Sequence, residues 1–297
     1  MELTPVQSTS LLVAYWRHVE TTRRRRIQEP LISDPTATAL IEAFLSDEQR
    51  QEYESSPIFE LGIKCLALRT RFIDDWLQSK HNNGCSSETP YTSRQQQRRQ
   101  IVNCGAGLCG RPYRLDFLNS QQQQSTTRVF EIDSDISLLS KKKQALHEAG
   151  FQEYCDTYHV EADLQDIPST IQALETIDAF DSSNCNTDWI AEGLLEYMDP
   201  TIHHRPLLQM AYDFSGPSSS SRMIMQVLEP PFAELFISKL GSNLPWKRLV
   251  PAEEIVDLAK QVGWSTATIH TGQELCTKYN RNKVDLLPGY TIVCLEK

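Results

Sequence analysis

Residues 101–115 read IVNCGAGLCGRPYRL, and this stretch decides the fold. A short apolar run ends in Gly105-Ala106-Gly107, where the glycines allow the backbone to turn tightly and to approach a ligand without obstruction by side chains. Gly110 completes a formal GxGxxG pattern, which is a weak sign of a nucleotide site when it stands alone. The stretch therefore predicts a β-strand that leads into a ligand-binding turn.

Further strand candidates come after this turn, and helical segments separate them. The whole series comprises residues 100–104, 128–132, 158–160, 188–191 and 223–228. Two more candidates, at residues 264–270 and 290–295, are expected to close the sheet as an antiparallel pair. Strands that alternate with helices predict an α/β fold with a Rossmann-like, doubly wound and mostly parallel sheet.

Residues 9–77 have a helical pattern, because their apolar residues recur every three or four positions. We assign residues 1–97 to an N-terminal helical cap with a linker, and residues 98–297 to the α/β core. A lid insertion is expected around residues 215–250. Polar stretches at residues 80–97 and 119–127 predict exposed loops.

Three acids follow the second, third and fourth strand candidates, namely Asp133, Asp163 and Glu192. Ligands on open α/β sheets bind outside the carboxyl ends of the strands, so we expect these carboxylates to converge. A cofactor with an adenine amine, ribose hydroxyls and an amino-acid ammonium needs such acceptors. A pyrophosphate would instead need arginine or lysine, so the acids disfavour a nicotinamide dehydrogenase.

Composition and charge exclude several classes of protein. The 297 residues are 40% hydrophobic and 23% charged, as in soluble globular proteins. The net charge of −10 disfavours nucleic acid as a partner, and we interpret the arginine run at residues 23–26 as solvated surface. No signal peptide and no apolar stretch of the ~20 residues that span a bilayer is found, so we expect a cytoplasmic protein without a membrane partner. Eight cysteines and seven histidines lack metal-ligand spacing, so no metal is expected.

An ordered series of motifs resembles the leucine carboxyl methyltransferase family. The motifs are RTRFIDDWL at 69–77, GAGLCGRPYRLDF at 105–117, VFEID at 129–133, EADL at 161–164 and WIAEGLLEYM at 189–198. The opening segments STSLLVAYWRHVE and LISDPTA are similar to the bacterial-type branch of S-adenosylmethionine-dependent methyltransferases within this family. The resemblance covers roughly residues 8–228. It implies a class I methyltransferase fold with S-adenosyl-L-methionine as the cofactor.

The resemblance also implies which residues hold the methionine end of the cofactor. Arg69 would bind the methionine carboxylate, and Gly105 would lie under the methionine moiety in the turn that Gly107 completes. Glu192 would face the methionine ammonium or the ribose. At the other end, Asp133 would accept hydrogen bonds from the ribose hydroxyls. The adenine would be framed by Asp163 and Leu164.

The chain departs from the family pattern at two places. The family usually has GAGLDTR where this chain has Cys109 and Gly110 before Arg111, and the lost side chains are expected to weaken a local hydrogen-bond network or to alter cofactor affinity. Protein-modifying members carry a lysine in the opening segment, where this chain has Gln7. This difference counts against a protein substrate.

The acceptor of the methyl group is open to more than one interpretation. A carboxylate is ionised at neutral pH, with a reference pKa of about 4, and needs no general base. A phenol or alcohol would need one, for which Tyr197, His203 and His204 are candidates. Tyr197, Arg222 and Arg111 are candidates for holding an anionic substrate.

We therefore expect an O-methyltransferase that acts on a carboxylate or acidic hydroxyl of a small metabolite. A protein C-terminal carboxyl methyltransferase acting on a phosphatase catalytic subunit is an alternative. A catalytically silent protein that only binds the cofactor is another, because of the departure at Cys109 and Gly110.

Overall fold

The computed structural model describes residues 5–22, 29–83, 99–119, 127–216, 221–240, 246–281 and 288–297. The predictions for the arginine run at 23–26, for the glutamine run within 119–127 and for loop residues 84–97 lie outside these ranges. None of the helices within them is both long and apolar enough to cross a bilayer.

In the described ranges four helices precede the first strand, and they are α1 (Pro5–Thr22), α2 (Pro35–Phe44), α3 (Asp47–Ser55) and α4 (Phe59–Asn83). Helix α2 begins with a proline, which loses no helical hydrogen bond at that position, and Asp34 caps it by accepting a hydrogen bond from the backbone N of Ala37 at 3.1 Å. The loop prediction was wrong for residues 80–83, which belong to α4. Polar composition alone does not end a helix, and the first glycine after Gly62 is Gly84.

Seven strands of the described part of the chain form one sheet. They are β1 (Arg99–Cys104), β2 (Arg128–Asp133), β3 (Asp156–Glu161), β4 (Asn186–Ala191), β5 (Arg222–Leu228), β6 (Thr266–Thr271) and β7 (Tyr290–Glu296). Their order is β3-β2-β1-β4-β5-β7-β6, in which the first five are parallel and β7 runs antiparallel to both of its neighbours. The Rossmann-like, mostly parallel sheet with its closing antiparallel pair is confirmed.

Helices cover both faces of this sheet. The helices after β1 are α5 (Arg111–Arg114), α6 (Ile136–Glu148), α7 (Ile167–Glu175), α8 (Arg205–Asp213), α9 (Pro230–Leu240), α10 (Ala252–Val262) and α11 (Gly272–Lys278). Alternate residues of a strand point to opposite faces of the sheet. On one face, Ile101 and Ile190 belong to a buried cluster with residues of α1, α2, α4, α6 and α11. On the other face, Val102 and Trp189 belong to a cluster with residues of α7, α8 and α10. The N-terminal helices therefore share one buried cluster with the sheet.

Candidate cofactor-binding site

A cleft lies at the carboxyl ends of β1, β2, β3 and β4, and residues of α1 border it from above the sheet. This position follows from the topology, because the strand order reverses between β1 and β4. The structure brings all seven residues that the sequence predicted for cofactor binding to the lining of this cleft. They are Arg69, Gly105, Gly107, Asp133, Asp163, Leu164 and Glu192.

The glycine turn after β1 forms the floor of the cleft. Gly105 and Gly107 have φ values of +69° and +46°, a region that residues with a Cβ rarely adopt. The backbone N–H groups of Gly105 and Ala106 both donate to the carbonyl of Ile132, each at 2.9 Å, which ties the turn to the end of β2. A Cβ on Gly107 would stand 3.1 Å from Oγ of Ser10 on α1. The turn is therefore fixed, and its backbone is open to a ligand.

The Asp133 carboxylate is held in place by backbone N–H groups. Its Oδ2 accepts from Gly107 N at 2.8 Å, and its Oδ1 accepts from Asp135 N at 3.0 Å. A carboxylate oxygen has two acceptor sites, so each oxygen keeps capacity for a further donor. Asp135 has a different task, because its side chain caps α6 by accepting from Leu138 N at 3.0 Å.

The residues after β3 offer a polar and an apolar surface side by side. Asp163 Oδ1 accepts from Gln165 N at 2.9 Å, and its carboxylate borders the cleft. Leu164 also borders the cleft, although its side chain is otherwise buried. An exocyclic amine next to a flat apolar ring would match this pair.

Glu192 lies between two guanidinium groups. Its Oε1 accepts from Nε of Arg69 at 2.7 Å, and its Oε2 accepts from Nη1 of Arg111 at 2.5 Å. Arg111 also pairs with Asp74 on α4 at 2.7 Å, and Arg69 donates a second hydrogen bond to Gln226 on β5. Burial raises the pKa of Glu192, but the charges of Arg111 and Arg69 outweigh it and hold the pKa well below its usual range.

A second ion pair lies beneath the glycine turn. Lys142 Nζ donates to both carboxylate oxygens of Glu131 at 2.8 Å and to the carbonyl of Cys109 at 3.2 Å, and both side chains are fully buried. Nε2 of His159 lies 3.2 Å from Oε2 of Glu131. Glu131 thus supports the turn from the protein interior, whereas Asp133 borders the cleft.

Glu196, which the sequence reasoning did not single out, also borders the cleft. The residue is 6% exposed, and Oε2 of its side chain has no hydrogen-bond partner within the described part of the chain. Burial raises the pKa of Glu196 to about 7, although Arg69 opposes the shift. The signal was present in the sequence, because Glu196 belongs to the same motif, WIAEGLLEYM, as Glu192.

Of the residues predicted to contact the acceptor, Tyr197 borders the cleft, and its hydroxyl interacts with the side chains of Thr9 and Trp246. His203 and His204 do not line it. His204 is buried with Nε2 3.3 Å from the carbonyl of Leu195, and Nδ1 of His203 accepts from Asp199 N at 3.1 Å.

The prediction for Arg222 was wrong. It begins β5 and therefore lies at the opposite edge of the sheet from the cleft. Its Nε donates to Oδ1 of Asp188 at 2.6 Å, and its guanidinium stands 3.8 Å from the ring centroid of Trp76. With 2% of its surface exposed, Arg222 joins α4 to the sheet and cannot reach a substrate in the cleft. Arg111 is likewise occupied by Asp74 and Glu192.

A residue of α2 occupies the space next to Gly110. A Cβ on Gly110 would stand 1.9 Å from Oγ1 of Thr36 and 2.8 Å from its Cβ, so the Thr36 side chain fills the space that a residue larger than glycine would need. Thr36 is buried, and its hydroxyl donates to Asp34. The hydroxyl of Thr36 thus lies where the side chain of a larger residue at position 110 would begin.

The described residues 215–250 do not contribute to the cleft lining. Phe232 and Phe236 of α9 are buried in the core cluster next to Tyr290 and Trp246. The lid insertion stays a prediction. The seven described cysteines are buried and form no disulfide with one another.

Comparisons with known proteins show the family of the chain. The model of the leucine carboxyl methyltransferase family matches residues 10–211. A relative from Mycolicibacterium gilvum is 32% identical over 80% of this chain and 77% of its own length. A relative from Mycobacteroides abscessus is 30% identical over 76% of this chain and 66% of its own length. Both carry the name of S-adenosyl-L-methionine-dependent methyltransferases.

A solved structure, that of a protein designated DUF574 family from Streptomyces avermitilis, aligns over 97% of both chains with a TM-score of 0.56. Its 13% identity shows a shared fold alone. The family model covers more than half of the chain, and the M. gilvum relative is similar over most of its length. The chain belongs to the leucine carboxyl methyltransferase family, whose members are S-adenosylmethionine-dependent methyltransferases.

Proposed function

We propose that the chain is an O-methyltransferase that methylates a carboxylate or an acidic hydroxyl of a small metabolite, with S-adenosylmethionine as the methyl donor. The observation that carries the proposal is the cleft itself, in which a fixed glycine turn, three strand-end acids and a buried arginine converge. The methyl group would pass from the sulfonium to an acceptor oxygen, and the sulfur would leave as a neutral thioether. Such an in-line displacement depends mainly on proximity and alignment.

The residues at the cleft fit the cofactor group by group. Asp133 retains acceptor capacity for the ribose hydroxyls, because its two backbone hydrogen bonds use one acceptor site on each oxygen. Asp163 and Leu164 would take the adenine amine and ring. The guanidinium of Arg69 would take the methionine carboxylate, with Glu192 and Gln226 fixing its orientation.

An ionised oxygen acceptor suits the surroundings of the cleft. The two histidines that could have served as a base, His203 and His204, hydrogen-bond to backbone groups outside the cleft lining. The Tyr197 hydroxyl is engaged by Thr9 and Trp246, and burial raises its pKa above the ordinary value. A carboxylate or acidic hydroxyl needs no proton removed at neutral pH, so it can be methylated without these groups.

The proposal is tested with methyl-labelled S-adenosylmethionine and a panel of small carboxylic acids, phenols and alcohols, next to a peptide with a free C-terminal carboxylate. We expect label on a small acid or acidic phenol, with a rate that changes little between about pH 6 and 9. Alkali should release the label from a methyl ester and leave it on a methyl ether.

Two matched variants control the assay. Glu192→Gln should abolish transfer, because it removes the charge that Arg69 and Arg111 share. Glu254→Gln, at a half-exposed position of α10 outside the cleft lining, should transfer as the wild type does. Label on the peptide alone would support a protein substrate, and cofactor binding without transfer to any acceptor would support a silent cofactor-binding protein. Either outcome contradicts the proposed acceptor.

A further inference from the structure

Glu196 is a carboxylate that has no role in the cofactor contacts proposed for the other residues of the cleft. It lies in the short helical turn Leu195–Tyr197 that follows β4, and its side chain borders the cleft. The residue is 94% buried, yet Oε2 of its side chain has no hydrogen-bond partner in the described ranges. A buried carboxylate oxygen without a partner is costly in free energy, and such groups in native proteins usually have a ligand, an ion or water to satisfy them.

The neighbouring carboxylate cannot take the same ligand equally well. Each oxygen of Glu192 accepts from a guanidinium group, at 2.7 Å from Arg69 and at 2.5 Å from Arg111, so two positive charges already balance its negative charge. These two charges hold the pKa of Glu192 well below its usual range, against the effect of burial. A cation that enters the cleft at this end therefore finds Glu192 neutralised and Glu196 available.

Glu196 and Arg69 border one common space above Gly193. A Cβ built on Gly193 would stand 3.8 Å from Oε1 of Glu196 and 3.5 Å from Nη1 of Arg69. Gly193 has a φ of +66° and no side chain, so this space stays open to the cleft. An α-amino acid carries its carboxylate and its ammonium on the same carbon. An arginine and a glutamate that face one small space match this pair of charges.

The position along the sheet agrees with this match. The strand order β3-β2-β1-β4 puts Asp163 and Asp133 at one end of the cleft and the segment after β4 at the other. An adenosine group over the first two leaves the amino-acid end of the molecule over β1 and β4, next to Gly193. We propose that Glu196 binds the α-ammonium group of the methionine part of the cofactor. The inference rests on the proposed function, because it takes the cofactor to be S-adenosylmethionine.

Ammonium binding should also change the protonation of Glu196. Burial raises its pKa to about 7, so part of the population is protonated in the free protein at neutral pH. Arg69, Tyr197 and Tyr290 interact with Glu196 electrostatically, and Glu192, which is ionised and paired with Arg69, borders the same part of the cleft. A bound ammonium favours the ionised carboxylate, so binding should release a proton near neutral pH.

Calorimetry of Glu196→Gln with two ligands tests the proposal. The ligands are S-adenosylhomocysteine and its deaminated analogue, in which hydrogen replaces the amino group. We expect the variant to bind S-adenosylhomocysteine about 10- to 100-fold more weakly than the wild type, because a charge-assisted hydrogen bond is lost. The analogue should bind both proteins within about 3-fold of each other, since it has no ammonium. Glu254→Gln is the matched control and should bind both ligands as the wild type does.

The outcomes separate the inference from the proposed function. Equal weakening for the two ligands, or no weakening for either, overturns the role of Glu196. Unchanged affinity combined with lost methyl transfer overturns it too and assigns Glu196 to the acceptor. Failure of the wild type to bind S-adenosylhomocysteine overturns the proposed function itself.

A second measurement needs only the wild type and covers the case that the variant does not fold. Titrations at pH 7 in buffers of different ionisation enthalpy report the protons exchanged on binding. We expect S-adenosylhomocysteine to release a fraction of a proton and the deaminated analogue to release none. Equal proton exchange with both ligands overturns the proposal.

Discussion

Replacing Asp133 by Ala should weaken cofactor binding without unfolding the protein. The wild-type carboxylate is fixed by Gly107 N at 2.8 Å and Asp135 N at 3.0 Å, so its remaining acceptor sites are oriented before the ligand arrives. A hydrogen bond to a charged acceptor contributes about 1.5–3 kcal/mol. Since about 1.4 kcal/mol corresponds to a tenfold change, the Kd for S-adenosylhomocysteine should rise about 10- to 150-fold. Titration calorimetry at pH 7.5 measures it.

Asp135→Ala is the matched control, two residues further along the chain. Its side chain caps α6 through Leu138 N, so its loss should lower the free energy of unfolding by about 0.5–2 kcal/mol. Its backbone N–H, which orients Asp133, survives the substitution. Cofactor affinity should therefore stay within about twofold of the wild type. Equal losses of affinity in the two variants would show that the ribose site is not at the end of β2.

Three further predictions concern the residues that support the cleft. Lys142→Met should lower the free energy of unfolding, measured by urea titration, by about 3–5 kcal/mol, because Glu131 stays buried without its cation. Adding Glu131→Gln should recover part of this loss. Burial raises the pKa of Glu131, but Lys142 and His159 lower it by more, so the folded-state pKa lies below the ordinary value of about 4.5. The ion pair therefore stabilises the fold above about pH 4.5, and this stabilisation should be lost as the pH falls below that value. The free energies of unfolding of the wild type and of the Lys142→Met, Glu131→Gln double variant should converge between pH 7 and pH 3. Gly110→Ala should lower the melting temperature, because the new methyl group overlaps with Thr36 and costs about 1–3 kcal/mol of the free energy of unfolding. Adding Thr36→Ala should restore part of the lost stability. An unchanged melting temperature in Gly110→Ala would mean that α2 shifts to make room for the methyl group.

The sequence allowed the sheet and the position of the cleft to be predicted, for a simple geometrical reason. The carboxyl ends of parallel strands meet at one edge of a sheet, so Asp133, Asp163 and Glu192 had to converge once their strands were located. The glycine turn was found because a backbone at positive φ requires glycine at Gly105 and Gly107.

Contacts between residues that lie far apart in the chain could not be predicted from the sequence. The pairing of Glu192 with Arg69 depends on how α4 packs against the sheet, and the local sequence does not contain that information. The same holds for Thr36, whose approach to Gly110 depends on the packing of α2. Arg222 was misassigned for a different reason. Arg222 is the first residue of β5 and not the last, so it lies at the edge of the sheet opposite the carboxyl ends of the parallel strands, where the cleft is.

The central claim is that this cleft binds S-adenosylmethionine and not a nicotinamide dinucleotide. Titration calorimetry of the wild type with S-adenosylmethionine, S-adenosylhomocysteine and NAD tests it most directly, because the three ligands share adenosine and differ in the group attached to its ribose. We expect both sulfur compounds to bind and NAD to give no heat of binding, since with its adenosine over Asp133 and Asp163 its pyrophosphate would lie next to Glu192 and Glu196 after β4. NAD binding tighter than both sulfur compounds would contradict the assignment of the site.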